Sequence, residues 1–458
     1  MTQESSMLSA RLTDLRYGRG HLVRTPLARC AWLAFWLMAL MALMVPARAI
    51  VPPPAAPQAG PIALVGATVH VGNGTVVEGA TVAFDGGRIT AVGTDVDTTG
   101  HEVVDVAGQH LYPGFILLDS RLGLLEVNAI RDTLDFEETG EVNPNVRSII
   151  AYNTDSELGP TLRFNGVLVA QVAPEGGMVS GMSSLVQLDA WNWEDAVIKE
   201  DDAIFLDWPA KRVGRFDFST FSFKFSPNEA YDEQMLAMET LFADAGTYAD
   251  RPPGTPANLK LAAMQGLFDG SRQLFVRTDV PRDVVRAVEF SRRHGVKHIV
   301  IVGADGLLAS ADYLAENDVG AVVVGTHRLP RLPHDDLHQP YRLAADLVRA
   351  GVRTAITDAG LRNSRNIGFQ AGTVAAHGEL DREQALRLIT LSAAELANID
   401  DRLGSIEVGK DATLFVSRGD ALDMRGNHLT HAFIDGRSIV LDGTQQALYE
   451  RFRDKYAD

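Results

Sequence analysis

The sequence predicts an α/β protein: a (β/α)8 barrel of the TIM type carrying a small β-sandwich domain built from both ends of the chain. Three observations lead there. Short strands broken by Gly, Asn and Asp fill residues 61–112. Apolar strands then alternate with helical segments from Pro113 to about residue 400. Strands return after that, in ATLFVS and THAFIDGRSIV.

In the first region ALVGATVHVG, ATVAFDGGRITAVG and EVVDVAG are β-branched runs, and Asp85-Gly86-Gly87 is a hairpin turn signal. In the middle region the strand candidates are FILL, VLVAQV, AIFLDW, LFVRT, HIVIVG, GAVVVG and RTAIT. PRDVVRAVEFSRRHG and GLLASADYLAEND between them carry apolar residues at spacings of three and four. Pro281 opens the first of these helices and Gly295 closes it. A doubly wound sheet fits the same alternation. DREQALRLITLSAAELANI reads as a last helix. Two ends that both read as strands are joined most economically in one domain, because chain termini often lie close together. The expected boundaries are 61–112 and 401–445 for the two parts of the β-domain, 113–400 for the barrel, and 446–458 for a C-terminal helix or tail.

The first 49 residues read as a secretory signal peptide. Arg19, Arg24 and Arg29 precede the 16-residue apolar run Cys30–Val45, and Ala47-Arg48-Ala49 offers a cleavage site. A spanning helix needs about 20 apolar residues, so the run is short for one, although an uncleaved anchor is the alternative. Cleavage implies export to the periplasm or beyond and no stable membrane insertion. It also removes the only cysteine, together with six Arg and two acidic residues. That leaves 36 basic and 57 acidic groups, a net charge of −21. Such a surface repels nucleic acid and anionic lipid. Residues 50–60 form a Pro-rich linker with little to order it.

Two stretches carry a specific likeness: GQHLYPGFILLDSRLGL, and LSAAELANIDDRLGSIEVGKDATLFV followed by FIDGRSIV. With the flanking β-domain they resemble the amidohydrolase superfamily, near its imidazolonepropionase-like and dipeptidase-like branch. SELGPTLRFNGVLVAQVAPEGGMVSGMSSLVQLDAWNWEDA is similar to an exported subgroup. The resemblance implies hydrolysis of a carbon–nitrogen bond by a metal-bound hydroxide at the C-terminal ends of the barrel strands. It implies His-X-His on strand 1, a carboxylated Lys or Glu on strand 4 in some branches, His on strands 5 and 6, and an Asp on strand 8 that also shuttles protons.

At the matching positions strand 1 has Asp119 and Arg121, strand 5 has Arg277, and strand 8 keeps Asp358. Strand 6 has Gly303 and Asp305 at its mouth, with His298 at the opposite end. No strand-4 Lys is evident. A guanidinium has no lone pair to give a metal, and a catalytic zinc needs about three protein ligands. Zinc is therefore the cofactor the resemblance implies but the His ligands are missing, and no other cofactor is indicated. Asp119–Arg121 and Asp358–Arg277 are expected to pair in the metal's place. The alternative is that these residues have drifted and face solvent. As an enzyme, the chain would use Asp358 as general base and Arg121 or Arg277 to stabilise an oxyanion. The second reading is a catalytically silent barrel that binds a ligand or partner. A small molecule and a possible homodimer are the expected associations.

Other features carry less. His327, His334, Asp335, Asp336 and His338 follow strand 7 and are good ligand types at no recognised metal spacing. APEGGMVSGMSSL reads as a Gly-rich loop lining a cavity; it lacks the Lys of a phosphate loop. Ser180 and Ser183 lack a nucleophile elbow. Asp132, Asp135, Glu137, Glu138 and Glu141 read as a solvated acidic face. His70, His294 and His377 read as surface or turn positions.

Overall fold

The structure is a computed structural model that describes residues 52–456 except 128, 218, 253–255, 331–334 and 359. The expected signal segment lies outside the described residues. Residues 52–60 belong to no helix or strand. They are nevertheless tied down: the Ala55 N–H donates to Asp189 at 2.9 Å, and Gln58 Oε1 accepts from the Gly87 N–H at 2.9 Å.

Five strands come first: β1 (Ile62–His70), β2 (Val76–Asp85), β3 (Arg88–Gly93), β4 (Glu102–Asp105) and β5 (His110–Pro113). β1, β2 and β3 pair antiparallel, and β4 and β5 run parallel to successive halves of β1. The β2–β3 turn needs positive φ at both Gly86 (54°) and Gly87 (80°), which glycine adopts without a steric cost.

The barrel sheet then begins with β6 (Phe115–Ser120), β7 (Val167–Val172), β8 (Val179–Gln187) and β9 (Val197–Asp207). A separate two-stranded hairpin follows, β10 (Arg212–Asp217) and β11 (Ser222–Pro227). Four more barrel strands complete the sheet: β12 (Gln273–Arg277), β13 (Ile299–Gly303), β14 (Gly320–Val324) and β15 (Thr354–Thr357). Seven of the eight barrel strands are parallel. β8 runs antiparallel to both of its neighbours, so the second part of the segment read as a Gly-rich loop, from Val179 on, is a buried strand. A turn at 173–178 therefore stands at the barrel mouth, where a regular βα unit would have a longer connection. Inward-facing residues, among them Ile116, Leu118, Phe205, Phe275, Val300 and Val322, form an interior core of their own.

The gap between β6 and β15 is bridged by a third segment. The Ile116 N–H donates to the Ile389 carbonyl at 2.8 Å, and the Ile356 N–H donates to the Leu388 carbonyl at 3.2 Å. This corrects one expectation. DREQALRLITLSAAELANI is two helices, Arg382–Arg387 and Leu391–Leu396, because the carbonyls between them serve the barrel strands. Asp381 opens the first with a reciprocal capping box through Gln384. Helix Pro281–Arg293 has Pro at its first turn and buries Val284, Ala287, Val288 and Phe290 against the barrel. Gly295 lies just beyond it with φ 85°.

The chain returns through β16 (Leu414–Ser417), β17 (Leu429–Ile434) and β18 (Arg437–Ser438). β16 pairs with β5, so both ends of the described chain share one eight-stranded sheet. The strands expected as a sandwich are thus joined edge to edge around an apolar core that includes Leu64, Val82, Phe84, Leu111, Leu414 and Phe433. His70, read as a surface residue, is largely buried in this domain. Its Nδ1 meets Glu383 Oε1 at 2.6 Å and its Nε2 meets His110 Nδ1 at 3.0 Å. A helix, Thr444–Lys455, ends the described chain.

Candidate active site

The C-terminal ends of the parallel strands bring together a cluster of charged side chains. Asp119, at the end of β6, has φ 49°. Aspartate tolerates that left-handed conformation better than most residues, and here the Asp119 N–H donates to Gln171 Oε1 at 3.1 Å. Its carboxylate accepts two bonds from Arg277 at the end of β12, from Nη2 at 2.6 Å and Nε at 3.2 Å. Arg277 also donates through Nη1 to Asp207 Oδ2 at 3.3 Å and through Nη2 to the Pro174 carbonyl at 2.9 Å. Its guanidinium carbon lies 4.5 Å from the centre of the Phe205 ring. The guanidinium therefore bridges two carboxylates, with a carbonyl and an aromatic face completing its surroundings.

A buried charge is tolerated when it is paired in this way. Burial alone would loosen the Arg277 proton; Asp119, Asp207 and Glu175 outweigh it and hold the group more firmly protonated than a free arginine. The neighbouring acids shift in the opposite sense to a simple ion pair. Burial pushes the Asp207 carboxyl up, against Arg277 and a 3.0 Å hydrogen bond from Ser180 Oγ. Burial likewise raises Glu175, against Arg121 and Arg277. Both remain reachable by water, with side-chain exposures of 39% for Asp207 and 34% for Glu175.

The expected pairs are thus crossed. Arg277 binds Asp119 and Asp207, and Arg121 binds Glu175 with Nε–Oε1 3.2 Å while lying over the Phe136 ring. Asp358 stands apart, at the end of β15. It accepts from Gln370 Nε2 at 2.6 Å and from the Gly360 N–H at 2.7 Å. Gln370 in turn accepts from the Thr326 N–H at 2.9 Å, which fixes the amide's orientation. Asp305 is held by Arg328 at 2.5 and 2.8 Å. His298 is exposed at the far end of β13.

A cavity of about 810 Å³ opens between the loops after β6 and β15. Arg121, Glu126, Asn153, Asp155, Arg362 and Asn363 are among the residues lining it. Arg121 therefore links the charged cluster to a space large enough for a small molecule.

The histidine loop after β14 does not converge. His327 Nε2 meets Thr373 Oγ1 at 2.7 Å, His338 stacks on His377, and Asp336 pairs with Arg342. His334 lies outside the described residues. Among the described residues, no three His, Cys, Asp or Glu side chains are grouped to hold a metal ion. Ser183 donates to the buried Asp202 rather than facing the mouth. The acidic run 132–141 is exposed.

Two participants escaped the sequence reading. Asp207 was visible as the acid ending the apolar run AIFLDW. Glu175 lay inside APEGGMVSGMSSL, read as a loop lining a cavity, but nothing in that segment singled it out; it stands at the mouth because it follows the C-terminal end of β7.

The amidohydrolase family model matches residues 281–441. Over that stretch the chain is similar to the amidohydrolase family. Solved structures with the amidohydrolase fold agree. An amidohydrolase from Thermotoga maritima MSB8 superposes with a TM-score of 0.72 at 22% identity, covering 83% of this chain and 99% of its own. A zinc-bound adenosine deaminase from Xanthomonas campestris gives 0.51 at 16% identity, covering 88% and 99%. A molinate hydrolase gives 0.50 at 16% identity, covering 84% and 96%. No curated protein matches the chain.

The amidohydrolase fold implies a metal at this mouth. The donor chemistry here does not fit one. Arg277 stands between the two nearest carboxylates, offers no lone pair, and already occupies their oxygens.

Proposed function

We propose that this chain is an exported amidohydrolase-family hydrolase. Its substrates are carbon–nitrogen bonds, other than peptide bonds, of a small amide or related molecule. A carboxylate–guanidinium cluster takes the place of the family's metal. The observation that carries this reading is the Asp119–Arg277–Asp207 bridge, which water reaches at Asp207, with Glu175 beside it and the carboxyls of Asp207 and Glu175 both raised by burial. Carboxyl groups whose environments differ can divide acid and base roles without a metal.

In this reading Asp358 takes a proton from water, and the resulting hydroxide adds to the substrate's carbonyl or imine carbon. Arg121, at the cavity wall, stabilises the charge that develops on the oxygen or nitrogen. The C–N bond then breaks, and the leaving nitrogen takes a proton from the raised carboxyl of Asp207. The released Asp358 proton is exchanged with solvent as Asp207 is reprotonated. General acid–base steps of this kind contribute roughly 10²–10⁴-fold each.

A panel of small amides and N-acyl compounds, assayed on chelator-treated protein with and without added zinc, tests the proposal. Turnover should be insensitive to chelation and fall by about 10²-fold or more in Asp358→Asn. Activity that appears only with zinc, or one tightly held zinc per chain, overturns it. A second reading is favoured by the saturation of Arg277, whose contacts leave little to offer a substrate. In that reading the barrel binds a ligand without turning it over, and ligands raise the melting temperature while no product forms.

A further inference from the structure

The hairpin β10–β11 leaves the barrel just after Trp208, and among the described residues its strands pair only with each other. A lone two-stranded sheet is marginally stable in water. This one also exposes apolar side chains: Phe221 is 80% exposed, Phe225 52% and Val213 38%. Residues 211–227 contain four basic groups, Lys211, Arg212, Arg215 and Lys224, against one acid, Asp217, in a chain whose net charge is −17.

The next element has the opposite character. Residues 229–250 hold six acids and no base. Helix Tyr231–Tyr248 buries Met238, Leu241, Phe242, Ala245 and Tyr248. Asp232, Glu233 and Asp244 lie on its exposed side with Leu236, which is 68% exposed. Glu239 differs, being paired with Arg293 and His294.

A basic, aromatic hairpin thus stands beside an acidic helix in the same chain. A two-fold axis places each such pair opposite its complement twice over, as an isologous interface requires. We propose that the chain forms a symmetric dimer in which the hairpin of each copy lies along helix Tyr231–Tyr248 of the other. Charge complementarity selects a second copy over an anionic lipid surface, which the rest of this acidic molecule would repel. The proposal is independent of whether the barrel hydrolyses or only binds.

Sedimentation velocity on the purified protein tests it. The wild type should sediment as two chains at micromolar concentration, less so as salt rises. Lys211→Glu/Arg212→Glu faces an acidic helix, and Asp232→Lys/Glu233→Lys faces a basic hairpin. Each variant alone should sediment as one chain and still unfold in a single cooperative transition, at a somewhat lower temperature than the dimer. Mixed one to one, they should recover the dimer, because both contacts of the mixed pair regain opposite charges. A wild type that is a single chain at every concentration overturns the proposal. So does a dimer indifferent to both reversals. A monomer that floats with anionic vesicles would assign the hairpin to a lipid surface and overturn it as well.

Discussion

The two halves of the barrel are built differently. Within residues 281–441, the part that matches the amidohydrolase family model, the barrel strands β13, β14 and β15 keep the regular alternation of parallel strand and helix. Residues 113–280 contain the reversed strand, the projecting hairpin, and every member of the linked charge cluster: Asp119, Arg121, Glu175, Asp207 and Arg277. Asp358 belongs to the regular half and is held by that half alone, through Gln370 and the Gly360 N–H. The regular half is held by apolar packing, and the other lines the mouth with ion pairs. These two kinds of stabilisation respond differently to substitution.

The largest effects separate packing from pairing. Phe290→Ala, in the regular half, removes a ring packed against Trp208 and Phe242 and should cost ~3–5 kcal/mol. Arg277→Ala should cost a similar ~3–5 kcal/mol for another reason, since it leaves two carboxylates together without their cation. Denaturant unfolding measures both. The distinction sharpens when Asp119, Asp207 and Arg277 are replaced together by apolar residues of similar volume. Loss of the whole cluster should be neutral or stabilising by ~1–4 kcal/mol. A triple variant as unstable as Arg277→Ala would show that packing, not charge, governs this side of the mouth.

A smaller effect depends on pH. Asp207 has a folded pKa above that of an unfolded aspartate. The native state therefore binds more protons than the unfolded state between the two values. Its contribution is fully present below the unfolded pKa of about 4 and is lost as pH rises through the folded pKa. Asp207→Asn, which cannot titrate, should gain stability relative to wild type as pH rises through that window. Paired melting curves from pH 3 to 8 check the sign; a constant difference would remove Asp207 from the titrating cluster. The smallest effect is in the regular half. Asp358→Asn can accept only one of the two bonds from Gln370 and Gly360 with full geometry, and should cost about 0.5–1.5 kcal/mol. A loss as large as that of Arg277→Ala would mean that the two rims are coupled.

Much of this was legible in residue order, and what was not has identifiable causes. The frames PGF…LGL and LFVRTD place Asp119 and Arg277 at strand ends, where the structure has them. Their partners could not be read, because pairing depends on which strands stand across the barrel from one another. β8 was missed because its burial on both sides removes the alternation that marks a strand. Its serines also bond inward, Ser180 to Asp207 and Ser183 to Asp202, where exposed serines would suggest a loop. The single last helix was misjudged for a related reason: its apolar spacing is continuous, and only the demand of β6 and β15 for carbonyl partners breaks it.

The reversal of β8 also bears on how the chain reaches this fold. Parallel neighbours must wait for a long crossover to close, whereas β7, β8 and β9 are consecutive antiparallel strands joined by segments 173–178 and 188–196. Short closures cost less entropy and form sooner. The meander from Val167 to Asp207 has the shortest connections in the barrel, and loop entropy favours its forming early. The same short segment carries Glu175, the Pro174 carbonyl and Asp207, three of the groups gathered around Arg277.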